Sequence, residues 1–319
     1  MENWIDKGGY YTNNQFNNTL RVVAQPKQRF RQFTSLKEAF GASQGDSINW
    51  DRAYNVDTIG GKLVETNTMH KSNIPVVKGT LTVDEFGNSV PFTKKVDLLS
   101  EIDVNDLLKG GLSNDQSKVL DILVESEFNK TPLRYVATAA AAATLTTNTV
   151  AGATNNIGLN RYHARKMVNE LMTRSVPGFA SADGDYVGIF SVEDMESLAA
   201  DLESINQYIE TGHKKIAAGE VGRYYGCRFL IDNNALRYTT DLDARTQTAL
   251  SWSNSKAFPG YIFGADTVRE AIVIPEELRA KNITDYGRSH GLAWYFLGGY
   301  AIEWPEHQYA RIIKWDSDA

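Results

Sequence analysis

A chain of 319 residues with 42% hydrophobic and 23% charged residues has an ordinary globular balance, long enough for one large domain or two moderate ones. Its net charge of -6 argues against nucleic-acid binding through the whole surface, and its one cysteine, Cys227, excludes an intramolecular disulfide and a thiolate metal cage. No apolar run approaches the roughly 20 residues of a membrane helix, and Met1-Glu2-Asn3-Trp4-Ile5-Asp6 lacks a signal-peptide layout, so the expected site of folding is the cytoplasm.

Residues 7 to 37 carry Lys7, Arg21, Lys27, Arg29, Arg31 and Lys37 without an acidic residue, among many Asn and Gln. Like charge with few apolar residues favours an extended arm, either a solvated tail or a strap across adjacent subunits near a polyanion. From Ile74 to Val83 and from Ser89 to Leu99, β-branched residues alternate with polar ones, and Asp84-Glu85-Phe86-Gly87-Asn88 between them has turn chemistry. This pattern predicts a β-hairpin. Val77, Leu81 and Val83 share one face, with Phe86, Phe92 and Lys94 in the turn and return strand. Two strands bury too little apolar surface to be stable alone, so this ribbon is expected to lie on a neighbouring subunit.

Ser113 and Gln116 form a capping-box pattern ahead of Val119, Leu120, Leu123, Val124 and Phe128 at helical spacing, with Thr131-Pro132 as the stop. Leu133 to Val150 reads as extended, although Ala139 to Ala143 could also continue a helix. Asn160 to Arg174 is a second helix, facing its core with Ala164, Met167, Val168 and Leu171. Tyr186 to Phe190 is a short buried strand, and Ser191 caps a third helix with Met195, Leu198, Leu202, Ile205 and Ile209 along one stripe. Short strands follow at Cys227 to Ile231, Tyr261 to Phe263 and Ala271 to Ile274, around a long polar loop from Asp232 to Pro259. Leu292, Trp294, Phe296, Tyr300, Ile302 and Trp304 then alternate, and Trp304-Pro305-Glu306-His307 predicts a turn into a return strand from Tyr309 to Trp315. The expected class is α+β.

Catalytic patterns are weak. Gly287-Arg288-Ser289-His290-Gly291 matches Gly-x-Ser-x-Gly, but a nucleophile elbow needs a strand before the serine and a helix after it, and here a polar segment from Ala280 to Tyr286 precedes it and a strand follows. A hydrolase using Ser289 with Glu303 and His307 is kept as an alternative. Gly219, Gly222 and Gly226 do not form a nucleotide-binding glycine loop, and the five histidines lack metal-ligand spacing. No catalytic, cofactor or metal residue is assigned, and no cofactor is expected.

Several strings nevertheless occur in a familiar order: Thr131-Pro132-Leu133-Arg134-Tyr135-Val136, Val176-Pro177-Gly178-Phe179 and Tyr186-Val187-Gly188-Ile189-Phe190-Ser191. Gly219-Glu220-Val221-Gly222-Arg223-Tyr224-Tyr225-Gly226-Cys227-Arg228-Phe229 and Tyr261-Ile262-Phe263-Gly264-Ala265-Asp266 continue the series. With the basic arm and ribbon, the chain resembles the major capsid proteins of tailed bacteriophages, of the Hong Kong 97 fold, and more narrowly the podophage coat branch typified by phage N-four. The resemblance implies an N-terminal arm over residues 1–49 and an extended loop over 50–99. It further implies a peripheral domain over 100–180 and 286–319 with a spine helix, and an axial domain over 181–285. The implied function is a structural subunit whose hexamers and pentamers build an icosahedral head around double-stranded DNA, assembled in the host cytoplasm and carried in the virion. The implied partners are other copies of the chain, a scaffolding protein, a portal, a possible decoration protein and packaged DNA, with no membrane. Val77, Leu81, Val83, Phe86, Phe92, Lys94, Arg29 and Arg31 are the expected subunit-interface residues. An encapsulin-like compartment shell is the alternative within the same fold.

Overall fold

Strands covered on both faces read as continuous apolar runs, and the strands Tyr186–Phe190 (β7) and Ile312–Trp315 (β13) are buried at every residue. The computed structural model describes residues 29–39, 45–56, 60–65, 68–100, 103–146, 157–180, 183–206, 220–232, 260–283 and 285–315. The two buried strands lie near the middle of a seven-stranded mixed sheet with the order β6-β5-β13-β10-β7-β9-β8. Its other members are β5 (Leu133–Ala139), β6 (Ala142–Thr146), β8 (Glu220–Tyr224), β9 (Cys227–Ile231) and β10 (Gly260–Phe263).

Alternate side chains of this sheet enter two different cores, as the two-residue strand period requires. Tyr186, Phe190, Phe229, Ile262, Ile313 and Trp315 pack with Met167, Leu171 and Leu198 of the helices Arg161–Thr173 (α3) and Val192–Asn206 (α4). Asn160 caps α3 by accepting from the His163 N–H at 3.1 Å, and Ser191 caps α4 by accepting from the Asp194 N–H at 3.1 Å. Val187, Ile189, Tyr261, Phe263 and Ile312 instead meet the long helix Val104–Asn129 (α2), through Leu120, Leu123, Val124 and Phe128.

The same helix also covers a four-stranded sheet, ordered β1-β11-β12-β4, through Val268, Trp294, Phe296 and Tyr300. Its strands are β1 (Ser35–Ala39), β4 (Asp84–Thr93), β11 (Val268–Ala280) and β12 (Ser289–Ile302). The second half of α2 is thus the joint between the sheets, and Phe128 makes edge contacts with Phe30, Tyr261 and Phe263 at 5.4, 5.8 and 4.8 Å. A two-stranded ribbon, β2 (Ser47–Ala53) with β3 (Val76–Thr82), and a short helix α1 (Lys94–Leu99) complete the described chain.

The α+β class and most elements agree with the sequence reading, but two strand pairings and one helix start do not. The expected hairpin does not form. β3 pairs with β2, whereas β4 runs through the supposed turn Asp84–Asn88 and pairs along ten residues with β12. Residues Lys94–Leu99 are helical, not strand. The C-terminal hairpin is likewise replaced by a crossover, because β12 stays in the four-stranded sheet while β13 joins β10 and β5. Finally, α2 starts nine residues before Ser113: Asp103 is the N-cap, accepting from the Asn105 and Asp106 N–H groups. The alanine run resolves into a turn at Ala140 and Ala141 between β5 and β6. The basic residues before position 29, the loop from 233 to 259, and the side chains of Leu202, Ile205 and Ile209 lie outside the described residues.

Candidate assembly interface

The ribbon has a base fixed to its own subunit and a tip without a core. Residues Ser47 to Ala53 pair antiparallel with Thr82 to Val76, and the Tyr54 N–H extends the ladder by donating to the Pro75 carbonyl at 3.0 Å. At the base, Leu81 is 2% exposed and packs with Ile48 and Ala271, with Trp50, Val83 and Ala301 at the margin. Gly299 of β12 lets the ribbon dock this closely, since a Cβ there would sit 2.2 Å from the Thr82 carbonyl oxygen. Across the ribbon, Trp50 lies flat over its partner Gly79, where a Cβ would fall 2.3 Å from the indole.

A polar clamp continues the base. Arg52 is 6% exposed and donates to the Glu303 carbonyl at 2.6 Å and the Lys78 carbonyl at 3.4 Å, and it pairs with Glu306 at 3.2 Å. Arg269 pairs with Glu303 at 3.0 Å and stacks over Trp50 at 5.0 Å. Tyr54 stacks on Tyr309 at 4.4 Å, beside Trp304, with Arg311 over the Trp304 ring at 4.6 Å. Burial, reinforced by Glu306, raises the Tyr54 pKa. These contacts fix the direction in which the ribbon leaves the body.

Beyond Tyr54 almost all the described residues of the connection are exposed, and apolar residues are interspersed among the polar ones. Val56, Leu63, Val64, Met69, Ile74 and Val76 are each more than half exposed. A long connection without secondary structure in a compact domain is uncommon unless it is functional. Clustered exposed apolar side chains mark interaction surfaces. Among the described residues these side chains find no apolar burial, which makes the tip the strongest candidate interface among them.

The expected interface residues divide between the tip and the body. Val77 points outward on β3, 38% exposed. Leu81 is buried within its own subunit, and Val83 packs at the margin of the same cluster. Phe86 stacks on Phe296 at 6.3 Å, and Phe92 stacks on His290 at 5.7 Å, because β4 is a member of the body sheet. Lys94 pairs with Asp97 at 2.8 Å on exposed α1.

Arg29 and Arg31 are also held internally. The Asp121 carboxylate accepts from the Arg29, Phe30 and Arg31 N–H groups at 3.3, 2.9 and 3.0 Å, and the Phe30 side chain is buried against α2. Arg31, expected at a subunit interface, pairs with Glu270 at 2.9 Å and Glu276 at 2.8 Å within its own subunit. Burial lowers the Arg31 pKa, but these carboxylates outweigh burial and hold it above its ordinary value.

No sequence pattern singled out Arg52 or Tyr54, and Trp304 and Tyr309 stood out only as parts of the expected C-terminal hairpin, because residues far apart in the chain assemble the clamp. The apolar tip residues Leu63, Val64 and Met69 were not singled out either, since they fall in no strand or helix period.

The hydrolase alternative loses its geometry. Ser289 begins β12, and a strand follows it, not a helix. Its Oγ accepts from Lys281 Nζ at 2.7 Å in an exposed position, while Glu303 lies past the opposite end of β12 and is paired with Arg269. Among the described residues no cluster of His, Cys, Asp and Glu is arranged to hold a metal, and no helix is long and apolar enough to cross a membrane. Cys227 is buried, and burial pushes its thiol pKa well up.

No protein-family model matches the chain, and no curated protein matches it in sequence. Solved structures do match in shape, nearly end to end. The head structure of Helicobacter pylori bacteriophage KHP40 aligns with a TM-score of 0.69 at 12% identity, covering 98% of this chain and 97% of that one. The mature capsid of bacteriophage PhiM1 gives 0.69 at 14% identity, covering 95% and 91%. The capsid of cyanophage P-SCSP1u gives 0.68 at 11% identity, covering 96% and 93%. The fold is the Hong Kong 97 capsid fold.

Proposed function

We propose that this chain is a major capsid protein, the structural subunit of a tailed-phage head. Copies assemble into hexamers and pentamers of an icosahedral shell that encloses double-stranded DNA. The observation carrying this reading is the end-to-end match to head and capsid subunits, joined to a ribbon that is clamped at its base and coreless at its tip. We assign the extended loop to the β2–β3 ribbon and its tip, the peripheral unit to α2 with the four-stranded sheet, and the axial unit to the seven-stranded sheet with α3 and α4. The internal anchoring of residues 29–34 makes the preceding residues the arm. Val77, Phe92 and Lys94 remain on exposed or half-buried surface available to neighbouring copies. A portal, a scaffolding protein, a decoration protein and DNA are the further partners of such a subunit, which assembles in the host cytoplasm and ends in the virion.

The test is electron microscopy of the expressed full-length chain, alone and with a scaffolding protein. Closed shells of uniform diameter are expected. A persistent monomer, or only open sheets and tubes under both conditions, refutes the reading.

A further inference from the structure

The chain is acidic overall, yet one face of α3 is cationic. Arg161 and Arg165, about one helical turn apart, and the adjacent Lys166 are exposed on it, on the opposite side from the buried side chains Ala164, Met167, Val168 and Leu171. Arg161 is partly neutralised by Asp201, at 3.6 Å, and Glu170 is taken by Arg174 at 2.8 Å. Among the described residues, no carboxylate pairs with Arg165 or Lys166; Lys166 instead sits 5.7 Å from the centre of the Tyr162 ring.

The charges border two hollows on either side of Tyr162. One, about 330 Å³, is lined by Asn160, Arg161, Tyr162, Arg165, Asp201 and Tyr224. The other, about 190 Å³, brings Lys166 together with Tyr135, Tyr162 and Glu170. Both hollows therefore pair a cation with phenol groups. Cations with hydroxyl donors are the usual partners of phosphate oxygens, which they hold without reading bases.

We propose that this α3 face binds phosphodiester groups of the enclosed duplex, with Arg165 and Lys166 as its phosphate contacts, so that α3 and the adjoining Tyr224 face the lumen of the shell. This rests on the capsid reading and deepens it by assigning the inner surface. The net charge of -6 fits such a restricted contact. A lumen cationic everywhere would hold the DNA through many contacts, whereas a patch limits the number of released counterions per subunit.

The test uses the full-length unassembled subunit, a fluorescent duplex of arbitrary sequence, and anisotropy titrations across a range of salt concentrations. The double variant Arg165→Gln, Lys166→Gln is expected to make the slope of log K against log salt shallower by about 1.8, at about 0.9 per lost phosphate contact. It should still form shells by electron microscopy. The paired control Lys109→Gln, Lys118→Gln on α2 removes the same charge and should leave the slope unchanged. Inorganic phosphate and a mononucleotide, each at equal phosphate concentration, should compete far less well than unlabelled duplex.

Wild type without salt-dependent binding, an equal effect of the control pair, or free phosphate competing as well as duplex would each overturn the proposal. So would a double variant that binds duplex normally but no longer forms shells, because the face is then a subunit contact. Failure of the wild type to form shells is a separate result and counts against the capsid reading itself.

Discussion

The division of the ribbon into an anchored base and a free tip predicts opposite consequences for two substitutions in the same element. Leu81→Ala deletes a side chain that is 2% exposed and packed against Ile48 and Ala271. Leucine-to-alanine changes in cores cost about 2–5 kcal/mol, and the small size of this cluster places Leu81 near the lower end, at about 2–3 kcal/mol. Undocking of the ribbon is local, so native-state hydrogen exchange reports it directly. At about 1.4 kcal/mol per decade, amide protection in β2 and β3 should fall roughly 30- to 140-fold, while protection in β7 and β13 is unchanged. Leu63→Asp alters a side chain that is 58% exposed, so stability should move by no more than about 0.5 kcal/mol. Ribbon protection should then be unchanged, yet shells should not form, because a carboxylate replaces an apolar contact at the interface. Unchanged ribbon protection in Leu81→Ala would refute the anchored base. Normal shells from Leu63→Asp would refute the tip as the contact.

Gly299→Ala places a Cβ within 2.2 Å of the Thr82 carbonyl oxygen, so the ribbon must shift off β12; its amides should lose protection without loss of the body's secondary structure by circular dichroism. Asp121→Ala leaves three N–H groups of residues 29–31 without their acceptor. A cost of about 2 kcal/mol is expected, read as a lower urea midpoint with unchanged m. His163 is buried beside Tyr135 and Trp315, and burial holds its pKa below the ordinary 6.5. The unfolded chain therefore takes up its proton first, and the stability contributed by neutral His163 is present above about pH 6.5 and lost as pH falls through the folded value. Urea midpoints measured between pH 7.5 and pH 5 should decline less steeply in His163→Gln than in the parent.

Where the sequence reading succeeded, the signal was local. α3 follows from Asn160 and a four-residue apolar repeat, and β7 from a fully apolar run closed by Ser191. Where it failed, strands were assigned partners. Alternation shows that 84–93 can be a strand, but its partner β12 lies about two hundred residues on, and nearest-neighbour pairing was the wrong default. Glycine was misread for the same reason. Gly87 resembles turn chemistry, yet it sits in β4 because a Cβ would meet the Trp294 carbonyl oxygen at 2.7 Å. Gly298 and Gly299 lie inside β12 and are points of close approach by Phe296 and the ribbon. Ser113 and Gln116 imitate a helix start inside α2, since Gly110 and Gly111 interrupt the apolar repeat on an exposed stretch where nothing lies within 4 Å of an added Cβ. The interface was legible as a region but not residue by residue, because Arg52, Glu303, Glu306 and Tyr309 meet only after the ribbon folds back on the C-terminal crossover.

A shell built from one polypeptide has to close, and a heterologous contact closes only if its angle is set. In this chain the angle and the contact belong to different residues. The tip between Tyr54 and Pro75 would reach about 33 Å in each direction if about ten residues extend on the way out and back, and on the capsid reading its exposed apolar side chains Leu63, Val64 and Met69 are the part left for a neighbour. The clamp sets where that reach is aimed. Arg52→Met keeps most of the buried stem while removing the guanidinium. Glu306 is about a third exposed and can return to water, so the main loss is the hydrogen bond to the Glu303 carbonyl, roughly 1 kcal/mol. The subunit should fold and its tip should still bind, but the ribbon leaves the body over a wider range of angles. Shells of mixed diameter are therefore expected by electron microscopy, in contrast to the absence of shells expected for Leu63→Asp. A diameter distribution as narrow as that of the parent would show that shell curvature is set elsewhere, most directly by contacts of the two sheets with their neighbours.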